Sequence, residues 1–272
     1  MKIAYTGWTW LVNHQDNHVW EFEQFLKEVS DLGYEEVENF AFILDYFDGD
    51  ASKVKALLDK YNLKMANLYQ HFSDDEEKDF ANTVRYVEFM KGIGAKHLNL
   101  QGVMWTEAPL ARPTDREKVL AYARLSNRVG KYCAENGCVA CFHPHAQTPV
   151  YTQEEIQLFL DNTDPKYVSL CLDTAHTTLA GMDPVQAVKR WISRIGYMHL
   201  KDVDPNSEKY KGWPMDAFCE LGLGTVDFRG IHQALKDGNY DGVLCVELDR
   251  RPVCNYKSAM ISRNYLHDAL GY

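Results

Sequence analysis

The sequence predicts an α/β fold, a single closed (β/α)8 TIM barrel forming one domain over residues 1–272. Three observations predict it. Short apolar runs alternate with amphipathic stretches from one end of the chain to the other. The runs are continuously apolar, as strands of a parallel sheet covered by helices must be. Eight such units in 272 residues leave about 34 residues each, close to the ~31 of a 250-residue barrel, and no linker interrupts them.

Taken in order, the runs are Ile3–Gly7, Tyr34–Phe40, Leu63–Gln70, Lys96–Gln101, Cys138–His143, Tyr167–Asp173, Ile195–Leu200 and Gly242–Leu248. Helical patterns follow each, at 18–32, 51–61, 75–92, 114–136, 152–162, 183–193, 227–238 and 256–270. Ser52, Asp74, Thr114 and Asp227 are residue types that cap helix N-termini, and they open four of these patterns. A doubly wound open sheet also alternates strand and helix, but it marks its first turn with a glycine-rich phosphate loop. Here that turn reads YTGWTWLVNHQDNH, and neither G-x-G-x-x-G after the first strand nor G-x-x-x-x-G-K-[ST] anywhere occurs, so nucleotide binding in its usual forms is not expected.

Composition narrows the partners. The chain is 46% hydrophobic and 25% charged with 17 Gly and 9 Pro, near the averages for globular proteins. Lys plus Arg is 29 against 39 Asp plus Glu, a net charge of −10, with an isoelectric point of about 5.5. That balance disfavours nucleic acid and acidic lipid. Seven cysteines leave one unpaired in any scheme, which suits a reducing compartment. Cys138 and Cys141 spell C-x-x-C, but a strand sends positions three apart to opposite faces, so they read as core. No signal-peptide pattern opens the chain and no 18-residue apolar run occurs, so a cytoplasmic location without membrane association is expected.

In such a barrel the site lies at the C-terminal ends of the strands. The last four strands end in His143-Pro144-His145, Asp173-Thr174-Ala175-His176, His199-Leu200-Lys201-Asp202 and Glu247-Leu248-Asp249. His143, Asp173, His199 and Glu247, one per successive strand, make a set of two imidazoles and two carboxylates. That set suits one divalent metal, with Mn²⁺ first and Co²⁺, Fe²⁺, Zn²⁺ or Mg²⁺ as alternatives.

At these residues the chain resembles the xylose isomerase-like TIM barrels, a family of sugar isomerases, ketose 3-epimerases, inosose dehydratase and endonuclease IV-type enzymes. The segments LCLDTAHTTLAG, IGYMHLKDVD, LGLGTVDF and DGVLCVELD carry the resemblance. It implies that Asp173, His199 and Glu247 bind one divalent metal. Strand five departs from the ketose 3-epimerase pattern, where a Glu in E-P-x-N serves; His143-Pro144-His145 looks more like the histidine-rich strand end of inosose dehydratase-like members.

A metal beside a carbonyl and a hydroxyl lowers the cost of removing the neighbouring C–H proton. His145, two residues past His143, is the candidate base, with a loop histidine bonded to backbone as the rival reading. Glu247 and Lys201 complete the catalytic set; Lys201 either faces a developing oxyanion or a substrate phosphate, or is a solvated lysine paired with Asp202. His176, Gln70 and Gln101 are candidates for substrate hydroxyls, and Trp8 and Trp213 for the apolar face of a sugar. Trp10 and Trp105 share that loop placement. The long connection Asp204–Gly224 is expected to be an active-site lid. The expected function is a metal-dependent isomerase or epimerase of a small carbohydrate. A lyase that dehydrates a keto-polyol or cleaves a 3-keto-glycoside, and a non-catalytic sugar-binding barrel, are the alternatives. Self-association into a homo-oligomer is left open.

Overall fold

The apolar runs pair as parallel neighbours in chain order until the last closes on the first. The computed structural model describes residues 1–11, 18–105, 112–249 and 254–272. Its barrel strands are β1 (Lys2–Thr6), β2 (Glu36–Phe40), β3 (Lys64–His71), β4 (His97–Gln101), β5 (Val139–Phe142), β6 (Val168–Asp173), β7 (Ile195–Leu200) and β8 (Val243–Val246). β8 pairs with both β7 and β1, so the barrel is closed. Helices α1 (His18–Asp31), α2 (Ala51–Lys60), α3 (Glu76–Ile93), α4 (Arg116–Glu135), α5 (Gln153–Asp161), α6 (Pro184–Trp191), α7 (Phe228–Asp237) and α8 (Asn255–Leu270) follow the strands. The expected fold is the one observed, and none of the described helices is long and apolar enough to cross a membrane.

The strand pleat sorts side chains into two cores. Inward positions at the barrel base are small or aromatic, with Ala4, Ala66, Cys141, Cys171, Tyr197 and Cys245 in one cluster. Outward positions such as Leu68, Leu98, Phe142, Leu170, Met198 and Leu244 pack in the large apolar core with helix residues such as Val87, Val129 and Leu235. Cys141 belongs to the first cluster and Cys138 to the second, as the period of two requires, and all seven cysteines are free.

Helix N-caps differ slightly from expectation. Asp50, Asp75 and Asp115 cap α2, α3 and α4, rather than Ser52, Asp74 and Thr114, while Asp227 caps α7 as expected. The reason is reach. The carboxylates of Asp75 and Asp115 accept the amides of Lys78 at 3.1 Å and Lys118 at 3.0 Å. Ser52 instead donates both its hydroxyl and its amide to Asp50.

The connection from 204 to 224 is folded. A two-residue strand, Asp202–Val203, pairs antiparallel with Phe218–Cys219, and between them lie a short helix, Glu208–Gly212, and a 3-10 turn, Pro214–Ala217. The LGLG motif serves this connection. Asp202 is fully buried, and its carboxylate accepts the amides of Val203, Gly222, Gly224 and Val226 at 2.9–3.1 Å. Gly222 has φ +83°, and a Cβ at Gly224 would meet Asp202 Oδ1 at 2.3 Å, so both positions need glycine. Asp202→Ala strands several buried amide donors and should lower stability by about 2–4 kcal/mol. Thermal unfolding checks this; an unchanged melting temperature would show that the carboxylate is dispensable.

Candidate metal centre and active site

Adjacent strands bring four donor side chains to one level. Asp173 on β6 is in register with His199 on β7. The hydrogen-bond ladder runs one residue beyond β5 and β8, through His143 N–H to Leu100 O at 2.7 Å and Glu247 N–H to Leu200 O at 3.1 Å. Asp173 also caps the short helix Thr174–Leu179, its Oδ1 accepting the His176 amide at 2.7 Å. That leaves Oδ2 facing the barrel axis. Thr174 Oγ1 donates to Lys201 O at 2.6 Å and accepts the Lys201 amide at 2.9 Å, which ties the end of β6 to the end of β7.

One donor atom from each of His143, Asp173, His199 and Glu247 lies within 4.8 Å of the other three. His143 Nε2 is 3.9 Å from Asp173 Oδ2; His199 Nδ1 is 4.0 Å from Asp173 Oδ2 and 2.9 Å from Glu247 Oε2. These four atoms, His143 Nε2, Asp173 Oδ2, His199 Nδ1 and Glu247 Oε2, are all buried without a hydrogen-bond partner. A buried polar atom left without a hydrogen bond costs ~1–3 kcal/mol; two of the four, Asp173 Oδ2 and Glu247 Oε2, also face Lys201, and four such atoms aimed at one point are an arrangement that a cation satisfies. Two nitrogens and two carboxylate oxygens without thiolate fit a borderline divalent metal.

The tautomer of His143 agrees. The Tyr69 hydroxyl directs its one proton to Gln101 Oε1, so against His143 Nδ1 it accepts, and Nε2 keeps its lone pair. Burial pushes the His143 imidazole down to about 4, which keeps it neutral, as a metal ligand must be.

Lys201 is fully buried beside this centre. Its ammonium lies 3.4 Å from Asp173 Oδ2, 3.0 Å from Glu247 Oε2 and 3.1 Å from Asp249 Oδ2. Burial alone would push the lysine down, but Asp173, Asp249 and Glu247 more than offset it and hold it well above the usual value. Lys201 is therefore neither solvated nor paired with Asp202, whose carboxylate is committed to the backbone on the other side.

Above the centre is a cavity of about 290 Å³. His145, Glu247, Gln101, Trp8 and Trp213, all expected at the mouth, line it. His176 sits behind His145, the two rings 3.7 Å apart. Gln70 does not reach the cavity: it points outward, donating to Asp79 O at 2.8 Å and accepting from Thr83 Oγ1 at 2.9 Å. The strand period puts Tyr69 and His71 inside instead, and both line the cavity. Trp10 is buried away from the cavity, donating to Glu28 at 2.8 Å, and Trp105 stacks under Arg112. Sequence reading also missed Phe40, Met104, Gln147, Met215 and Asp249 as lining residues. Asp249 was legible as the alternate position after Glu247; Gln147 carries the rarer signal of a non-glycine φ of +64°.

A family model described as xylose isomerase-like TIM barrel matches residues 26–265, so the chain belongs to that family. Among curated relatives, an inosose dehydratase of Clostridium botulinum is 30% identical over 258 residues, covering 85% of this chain and 83% of the relative. Among solved structures, the probable 3-DHS dehydratase AsbF of Bacillus anthracis superposes with a TM-score of 0.78 at 14% identity over 99% of this chain and all of that one. The IolI protein, crystallised with a zinc atom, gives 0.76 at 18% identity over 98% and 97%; at these identities both show the fold alone.

His199→Ala and Glu247→Ala should each lose tight Mn²⁺ binding while keeping the far-ultraviolet circular dichroism of the parent, because strand-end residues at this face contribute function more than stability. Dialysis followed by elemental analysis checks this, and full metal stoichiometry in either variant would remove that residue as a ligand.

Proposed function

We propose that the protein is a divalent-metal-dependent carbon–oxygen lyase that removes water from a small cyclic keto-polyol of the inosose kind. The observation that carries the reading is a neutral histidine, His145, at the wall of the cavity two residues beyond His143 of the four-residue centre, where a carboxylate pair would suit epimerisation. The 30% identity to inosose dehydratases supports the same class.

His143, Asp173, His199 and Glu247 would hold the metal. When bound there, a divalent ion polarises the substrate carbonyl and adjacent hydroxyl and lowers the cost of negative charge beside them. The rest is the work of the chain. His145 Nδ1 lies 2.6 Å from Ala146 O, and a carbonyl oxygen only accepts, so Nδ1 carries the proton and Nε2 keeps its lone pair. Burial and the neighbouring His143 push the ring down to about 4, which leaves it unprotonated at neutral pH and able to accept the C–H proton at Nε2. The electron pair of that C–H bond forms the new C=C bond, the C–O bond of the neighbouring hydroxyl breaks, and the proton on His145 Nε2 leaves with that hydroxyl as water. Lys201 keeps Glu247 and Asp249 in place and adds a fixed positive charge beside the centre. Trp8 and Trp213 offer flat walls to the C–H face of the ring, and Gln101 a polar group to its hydroxyls.

A second reading, isomerisation or epimerisation, keeps the same first step and returns the proton to carbon. Glu247, which reaches both the centre and the cavity wall, favours it by offering a second proton acceptor.

The test is incubation of Mn²⁺-loaded protein with a panel of inososes and keto-sugars in D2O, followed by NMR. Loss of water from an inosose is the expected result; deuterium gain in a product of unchanged composition would replace elimination by isomerisation. His145→Ala should bind Mn²⁺ like the parent and slow proton exchange by about 10²-fold or more. Unaltered exchange would remove His145 as the base.

A further inference from the structure

We infer that Glu38, on the far side of the barrel from the metal ligands, is a positioning residue that sets the tautomer and orientation of His199. The inference rests on the metal-centre reading and extends it to a residue that touches neither metal nor substrate.

Glu38 lies on β2 and is fully buried. Its Oε2 sits 2.9 Å from His199 Nε2. Among the described residues no lysine or arginine pairs with it; its Oε2 meets His199, and its Oε1 is buried without a hydrogen-bond partner. Asn67 Nδ2 donates to the same Oε2 at 2.7 Å and Asn99 Nδ2 at 3.2 Å. The Asn67 amide cannot be turned around, because its Oδ1 already accepts the backbone N–H of Asn99 at 2.9 Å. The carboxylate is thus held in one orientation by side chains of β3 and β4.

A carboxylate only accepts, and His199 faces one at each nitrogen, Glu38 at Nε2 and Glu247 at Nδ1, each at 2.9 Å; a metal taking Nδ1 would displace the proton there, and Nε2 would keep its proton on Glu38. Nδ1 is the atom that faces Glu247 and Asp173. One ring nitrogen therefore points at the metal position while the other donates to a buried anion. That arrangement fixes the ring and makes the coordinating nitrogen more basic. The cost of burying an anion without a lysine or arginine beside it has no return in packing: Asn67, Asn99 and Glu38 form a polar layer where barrels of this type carry branched apolar residues. The layer makes sense as a support for His199.

The test compares Mn²⁺ affinity of the parent and Glu38→Gln, read from the electron paramagnetic resonance of free Mn²⁺, with thermal melting of both in EDTA. The expected result is one tightly held Mn²⁺ in the parent and affinity about 10–100-fold weaker in Glu38→Gln, with metal-free melting little changed. Equal affinity overturns the role of Glu38 and leaves the metal centre standing. No Mn²⁺ bound by the parent overturns the centre, and this inference with it. Should Glu38→Gln not fold, the parent alone still decides: with ¹⁵N-histidine labelling and Zn²⁺ loaded, the His199 signals, assigned by their loss in His199→Ala, should show a protonated Nε2 and a coordinating Nδ1. The reverse assignment overturns the proposal.

Discussion

Buried negative charge at one end of a closed barrel is the constraint around which this molecule is arranged. Asp173, Glu247 and Asp249 converge on the one ammonium of Lys201, and a fourth carboxylate, Glu38, faces His199, all in a region sheltered from water. Enclosed charge of one sign is costly unless something shares it. Lys201 meets part of that demand through Asp173 Oδ2 and Glu247 Oε2, and the convergence of these with His143 Nε2 and His199 Nδ1, none of them in a hydrogen bond, marks where the remainder falls. This set holds no thiolate, although Cys141, Cys171 and Cys245 line the barrel just below; nitrogen and carboxylate donors of this kind suit a borderline or hard divalent ion.

The surrounding structure reads as a means of holding that arrangement still. Each donor is fixed by a second contact: His143 by Tyr69, Asp173 by the helix it caps, His199 by Glu38, and Glu247 by Lys201. Trp8 is tied to the end of the last strand through its indole N–H on Asp249 O at 3.1 Å. A site built on strand ends with such supports is pre-organised. The folded 204–224 connection, anchored on Asp202 and bringing Trp213 and Met215 to the cavity, extends the same logic to the cavity wall.

Much of this was legible in the chain because two periodicities announce it. The alternation of apolar runs with amphipathic stretches specifies the barrel, and the abrupt turn to His, Asp and Glu at the ends of the last four runs specifies the centre. Reading failed where the end of a run is not the end of an inward face. Gln70 closes the third run, yet the pleat turns it to α3 and gives the interior to Tyr69 and His71. Glu38 lies within the second run, and nothing local distinguishes a carboxylate facing a histidine 161 positions later from one facing water. Lys201 beside Asp202 looked like a local pair; its partners lie on other strands, and only the closed barrel brings them near. Long-range pairing of charges is the kind of information that a one-dimensional pattern carries least.

The central claim is that one divalent ion sits among two imidazoles and two carboxylates at the mouth of the barrel. An anomalous difference map from crystals grown with Mn²⁺ tests it most directly. The account predicts a single strong peak about 2.0–2.3 Å from each of His143 Nε2, Asp173 Oδ2, His199 Nδ1 and Glu247 Oε2. A map with no peak there, or with its strong peak coordinated by other residues, would contradict it.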